Sequence, residues 1–146
     1  MIISTKCQYA LRAVFEIARS NHGRVLTIAE IAEAQNVPQR YLEGILNELR
    51  KGCILEAQRG RCGGYKLAMD AKDITVGVVV RLIDGPVRAV DESRTGNKLT
   101  LESSVFMPTW LKVQAVIDEA LDSTAFSQLL RLEDEEKLNR SPSYVI

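Results

Sequence analysis

The sequence holds one histidine, three cysteines and no excess of either charge sign, with 19 Lys and Arg against 19 Asp and Glu. His22 stands alone in a loop position, with no nucleophile–base set or metal-ligand cluster beside it, so the chain is not expected to be an enzyme. The glycine-rich stretch from Gly60 to Gly64 lacks the Lys-Ser/Thr ending of a phosphate-binding loop. Cys7, Cys53 and Cys62 form an odd set, which speaks against a disulfide framework. No stretch approaches the roughly 18 apolar residues of a membrane helix, and Met1 to Lys6 offers no signal-peptide core. The expected location is therefore the cytoplasm, with no membrane partner. No internal repeat is visible.

What is present begins with an uneven distribution of charge. Residues 1–68 carry ten Lys and Arg against six Asp and Glu, while residues 69–146 carry nine against thirteen. A basic front and an acidic back suit a molecule that meets phosphate at one end and another partner at the other. At 146 residues the chain suits one modest globular unit with a core of its own.

Local patterns divide the chain. Ser4 is placed to cap a helix from about Thr5 to Ser20, with Ala10, Ala13, Val14, Ile17 and Ala18 as its buried stripe. Thr27-Ile28-Ala29-Glu30 reads as a capping box that starts a short second helix, with Ile28, Ile31 and Ala32 inward. After a tight turn at Gln35-Asn36-Val37, Pro38 marks the first position of a third helix. That helix runs to about Lys51 and buries Leu42, Ile45, Leu46 and Leu49; Gly52 closes it. Ile54 to Arg59 and Tyr65 to Ala68 read as two strands of a hairpin about a glycine-rich tip. A fourth helix is expected from Asp73-Ile74-Thr75 to about Ile83, stopped by Asp84-Gly85-Pro86. Residues 87–107 show short β-like patches and a polar loop from Glu92 to Asn97. A long helix from about Pro108 to Leu121 carries Trp110, Val113, Ile117 and Ala120, flanked by Leu111, Val116 and Leu121. A short last helix bears Phe126, Leu129 and Leu130, before an acidic run, Glu133 to Glu136, and a flexible end.

Helix, helix, turn, helix and hairpin make a winged helix-turn-helix plan. The expected fold class is mainly α with a small β-hairpin, a winged helix-turn-helix domain followed by a long C-terminal dimerisation helix. The expected divisions are 1–86 for DNA binding, 87–132 for the connecting loop and dimerisation helix, and 133–146 for a flexible tail. On the third helix Gln39, Arg40, Tyr41, Glu43, Asn47 and Arg50 lie off the apolar stripe. Gln39 and Arg40 sit where such helices touch bases, Glu43 suits a cytosine amino group, and Tyr41 and Arg50 suit phosphate. Gly44 on this face gives up about 1 kcal/mol of helix propensity against Ala and leaves room for a phosphate backbone. Arg59 and Arg61 flank the hairpin tip, where guanidinium groups suit a minor groove or phosphates. Double-stranded DNA is the expected partner. A solvated helix face and hairpin on a pure protein-interaction module is the alternative, and these four arginines argue against it.

The same residues resemble the Rrf-two (BadM-type) family of bacterial repressors. The matching stretches are Ser4 to Arg12, Ile28 to Ala32, Tyr41 to Gly52, Arg59 to Leu67 and Ile74 to Val79. The resemblance implies a homodimer joined through the long C-terminal helix, here by Trp110, Val113, Ile117 and Leu121. Two recognition helices and two wings would then face successive grooves of a palindrome. Many members hold an iron–sulfur cluster through three cysteines ahead of that helix, whereas Pro86 to Pro108 contains none, so no cofactor or metal is expected.

Asp84-Gly85-Pro86-Val87 and Glu119 to Thr124 resemble a cluster-free branch concerned with cysteine metabolism, as does an acidic stretch ending in an aromatic and a terminal isoleucine. Members of that branch are held to bind cysteine synthase (O-acetylserine thiol-lyase). The resemblance makes Tyr144, Val145 and Ile146 a candidate docking tail, since an active site built for an amino-acid carboxylate also suits a chain terminus. A frayed tail is the competing reading. Cys62, beside Arg61 on an exposed tip, is the candidate redox thiol of an alternative thiol-sensing regulator, while Cys7 and Cys53 read as packing residues.

Overall fold

A computed structural model describes residues 2–20, 24–90 and 101–140. The elements run α1 (Thr5–Arg19), α2 (Ile28–Gln35), α3 (Gln39–Lys51), β1 (Leu55–Gln58), β2 (Gly64–Leu67), α4 (Val76–Asp84), α5 (Leu101–Asp122) and α6 (Phe126–Arg140), with a short 3-10 turn at Ala71–Asp73. The chain is mainly helical, with one antiparallel hairpin in the register Leu55↔Leu67 to Gln58↔Gly64. His22, the loop from Glu92 to Asn97 and the tail residues Tyr144, Val145 and Ile146 lie outside the described residues.

The caps read from sequence form the helix starts. Ser4 Oγ accepts from the Cys7 N–H at 3.0 Å. Thr27 and Glu30 satisfy each other's backbone amides in a reciprocal capping box. Asn36 takes a left-handed backbone at φ 51°, which turns the chain between α2 and α3. Arg12 of α1 donates to the Gln35 carbonyl, a cation set against the C-terminal end of α2. The core lies where α1 meets α3 and α4: Ala13, Val14, Leu42, Leu46, Leu49 and Val79 are fully buried. Each large aliphatic group here contributes about 1.5–3 kcal/mol by leaving water.

Several boundaries differ from expectation. Pro38 occupies the N-cap of α3 rather than its first turn. Gly52 is the C-cap of α3, where the sequence reading ends the helix, and Cys53 after it takes the left-handed backbone, at φ 61°. Cys53 N–H bonds the Arg50 carbonyl and Ile54 N–H bonds the Leu49 carbonyl, each at 3.0 Å, which closes the helix in a Schellman arrangement. Gly52 is needed for space, since a Cβ there would meet Leu82 Cδ2 of α4 at 2.4 Å.

The C-terminal half departs further. α5 starts at Leu101 and carries Pro108 inside it, where the expected helix began at the proline. Phe106 stacks on Trp110 across that position, with centroids 6.4 Å apart, a helix-spaced contact. No strand occupies residues 87–90, and 101–107 are helical, so the described part of 87–107 holds none of the expected β patches. α6 is not short. It runs 15 residues to Arg140, and the acidic run from Glu133 to Glu136, placed by the sequence in a flexible tail from 133, is helical. Glu133 pairs with Arg19 of α1 and with Lys137, and Glu136 pairs with Arg140, so positioned cations relieve the repulsion within the run. Phe126 is buried in the same core as α1.

Candidate nucleic-acid interface

With Leu42, Ile45, Leu46 and Leu49 buried, α3 turns Gln39, Arg40, Glu43 and Arg50 to solvent, with Asn47 half-exposed beside them. These are the residues the sequence assigned to the reading face. Lys51, which the sequence reading does not include, shares the strip of Arg40, Gly44 and Asn47 and is exposed. Asn47 Oδ1 accepts from Arg50 Nη2 at 2.8 Å, which orients the amide and leaves its NH₂ for an outside acceptor. Glu48 is turned away and pairs with Lys6 of α1. Around Gly44 a Cβ would touch nothing within 4 Å, so the gap belongs to solvent or to a ligand.

Tyr41 sits at the edge of this face, 47% exposed, and its ring stacks on Tyr9 of α1 with centroids 6.1 Å apart and planes 28° from parallel. The Arg40 guanidinium lies over the Tyr41 ring, 4.8 Å from its centroid, and Nη2 donates to Tyr41 Oη at 3.0 Å. Tyr9 and Arg12 escaped the sequence reading because their roles depend on a helix distant in sequence, and spacing carries no signal of that.

The hairpin forms the wing. Its tip closes through Gly63 N–H to the Gly60 carbonyl at 2.9 Å, with Gly60 at φ 110°. Arg59, Arg61 and Cys62 are all exposed there, and among the described residues no carboxylate pairs with either guanidinium. Leu26 and Tyr65 exchange backbone hydrogen bonds at 2.9 and 2.7 Å, tying β2 to the loop ahead of α2. A Cβ on Gly64 would meet the Leu26 carbonyl at 2.3 Å, so this approach requires glycine.

Away from this face, Asp84 receives both the Ser4 N–H, at 2.9 Å, and the Ser4 hydroxyl. Burial, followed by the charge of Asp84, pushes the Cys7 thiol up to about 11, so it stays protonated at neutral pH. Cys53 and Cys62 are exposed. Arg81 of α4 pairs with Asp122 and Asp118 of α5, and these bonds hold its guanidinium charged. Gln114 accepts from Ala89 N–H and donates to the Val87 carbonyl, both at 2.8 Å, pinning the segment that leaves α4. Further along α5, Val105, Phe106, Trp110, Leu111, Val113 and Val116 are exposed, while Ile117 and Leu121 are half-buried within the chain. No helix of the described residues is long and apolar enough to cross a membrane.

Comparison with known proteins gives this geometry its context. A family profile described as Rrf2, an iron-dependent transcriptional regulator, matches residues 3–132. The HTH-type transcriptional regulator CymR of Bacillus subtilis (strain 168) is 30% identical over 137 residues, covering 94% of this chain and 95% of that protein. The solved structure of CymR, titled the global cysteine regulator of B. subtilis, is similar with a TM-score of 0.79 at 29% identity, covering 90% of this chain and 98% of that one. T. potens IscR is similar with a TM-score of 0.73 at 30% identity, covering 99% and 95%.

The iron in the family's description needs ligands that this chain does not bring together. Its only cysteines lie at the start of α1, the end of α3 and the wing tip. Cys7 is buried and protonated, and among the described residues no group of three or more His, Cys, Asp or Glu is placed to hold a metal ion.

Proposed function

The chain belongs to the Rrf2 family of winged-helix, DNA-binding transcriptional regulators, and from that premise we propose that it represses transcription as a homodimer seated on a palindromic operator. The observation that carries the reading is the conjunction, on one domain, of a solvent-facing polar row on α3 with a wing whose exposed Arg59 and Arg61, among the described residues, pair with no carboxylate. Residues 1–86 form the DNA-binding unit and 87–132 the connecting and dimerising region. Gln39, Glu43 and Asn47 read base edges in the major groove, Arg40 enters at the same helix end, and Tyr41 and Arg50 meet phosphate. Arg59 and Arg61 follow the adjoining minor groove.

The exposed apolar flank of α5 supports the dimer: Trp110 and Val113, with Ile117 and Leu121 at its margin, are the contacts we assign to the partner copy. Two-fold symmetry then sets the recognition helices about one turn of DNA apart. The chain does no catalytic chemistry of its own, and its occupancy of the promoter is the regulatory event. Likeness to CymR supports a link to cysteine metabolism, with Tyr144, Val145 and Ile146 docking on cysteine synthase as the signal input. A second reading, regulation by oxidation of Cys62, is favoured by the exposure of that thiol beside Arg61 at the wing tip.

A mobility-shift titration on fragments of the chain's own promoter tests the central claim. Affinity should fall steeply as salt rises, because each phosphate contact releases counterions. Replacing Arg59 and Arg61 by Ala should weaken binding sharply; unchanged affinity removes the wing from the mechanism. Deleting Val145 and Ile146 should abolish capture by purified cysteine synthase, and retained capture discards the tail.

A further inference from the structure

Arg40 stands second in α3, where an extended side chain would reach toward base edges with Gln39. It does not extend. Its guanidinium lies over the Tyr41 ring, 4.8 Å from the centroid, and spends one donor on Tyr41 Oη. Tyr41 in turn stacks on Tyr9, and Tyr9 is packed against the core from α1. The arginine is thus drawn off the row of Gln39, Glu43 and Asn47 toward the flank that α3 shares with α1. A cation held off that row meets the sugar-phosphate backbone beside the groove, where contacts position a protein without reading sequence. Among the described residues no carboxylate pairs with Arg40, so its charge is uncompensated and its remaining N–H donors are open to a planar, two-oxygen acceptor. Stacking also removes rotamer freedom before binding, so less is lost on contact.

We propose that Tyr9 and Tyr41 form a two-ring shelf that holds Arg40 as a phosphate clamp at the edge of α3, so that Arg40 sets how tightly DNA is held and not which sequence is chosen. Tyr9, which the reading face does not include, is the positioning residue. This rests on the reading of the chain as a DNA-binding regulator and gives one arginine on its surface a different task from its neighbours.

The test uses the full chain and two defined duplexes, one enriched from a random library by the wild-type protein and one of unrelated sequence. Arg40→Ala should weaken binding to both by the same factor, roughly tenfold. It should also reduce the dependence of log affinity on log salt by nearly one for each chain bound. Tyr9→Leu, which keeps apolar volume but loses the ring, should cost severalfold in the wild-type background and nothing further in Arg40→Ala. That non-additivity is what a merely structural role for Tyr9 would not produce. Tyr41→Phe keeps the stack and loses the acceptor, so its effect should fall between wild type and Arg40→Ala. The shelf is overturned if Arg40→Ala changes the preferred base at a defined position, or if Tyr9→Leu costs the same in both backgrounds. Wild-type protein that binds neither duplex overturns the regulator itself, whereas wild-type binding without coupling overturns the shelf alone.

Discussion

Cys53 carries a left-handed backbone at φ 61°, a conformation that is strained for a side chain with Cβ and free for glycine. Cys53→Gly should therefore raise stability by about 1 kcal/mol, read as a shift in denaturant midpoint with an unchanged slope. Gly44 offers the opposite pairing of effects. Its surroundings are empty, so Gly44→Ala should gain up to about 1 kcal/mol of helix stability. If DNA backbone fills that gap, the same variant should bind promoter fragments less tightly; stabler protein with unchanged affinity would separate Gly44 from the interface. The buried thiol of Cys7, pushed up to about 11 from an ordinary 9.0, makes a pH prediction. The folded state keeps its proton where the unfolded state loses it, so stability declines as pH climbs from about 9 to 11. Cys7→Ala should remove that part of the decline, measured as the wild-type minus variant difference across the window. At neutral pH an alkylating reagent should modify Cys53 and Cys62 in the native chain and reach Cys7 only after unfolding.

Elements set by local chemistry could be read from the sequence, and those set by distant partners could not. The Leu42, Ile45, Leu46, Leu49 spacing gives α3 directly, and Thr27 with Glu30 gives the start of α2, because each signal lies within one or two helical turns. At Pro108 the local rule that places proline at a helix start fails, since α5 runs through it from Leu101. The sequence reading ends α6 ahead of the acidic run, which Lys137 and Arg140 relieve locally and Arg19 of α1 relieves from a distant helix. The same division holds at the site. Which α3 residues face out follows from periodicity, but where Arg40 sends its guanidinium depends on Tyr9, and only the fold brings them together. The crossing of α4 and α5 has a sharp steric requirement. A Cβ on Gly77 would stand 2.3 Å from Asp122 Oδ1 and 3.2 Å from the Leu121 backbone. Gly77→Ala should push α5 away, disturb the Arg81–Asp122 pair and cost about 1–3 kcal/mol, read from the thermal or denaturant midpoint.

For the whole molecule, the apolar flank of α5 asks for a partner surface. Trp110 and Val113 are 40% and 39% exposed, and Val116 is 69% exposed. Val113→Glu should leave the described core intact, since that residue faces outward, and should convert a dimer into monomer by light scattering. Operator affinity should then fall by orders of magnitude, because one half-site no longer recruits the second. A variant that stays dimeric would move the interface elsewhere on the chain. The uneven charge read from sequence is consistent with the proposed division of labour, with exposed arginines on α3 and the wing and the acidic run on α6.

The backbone exchange between Leu26 and Tyr65 ties β2 to the loop ahead of α2, and the Ala68 N–H to Ile54 carbonyl bond at 2.9 Å closes the base of the hairpin just after α3. The span from the start of α3 to the arginine tip is therefore a fixed caliper rather than an adjustable arm. On the proposed DNA-binding reading, a half-site with one base pair inserted between the two grooves must bend or twist to fit those jaws, whereas a half-site with one altered letter need only forgo a single contact.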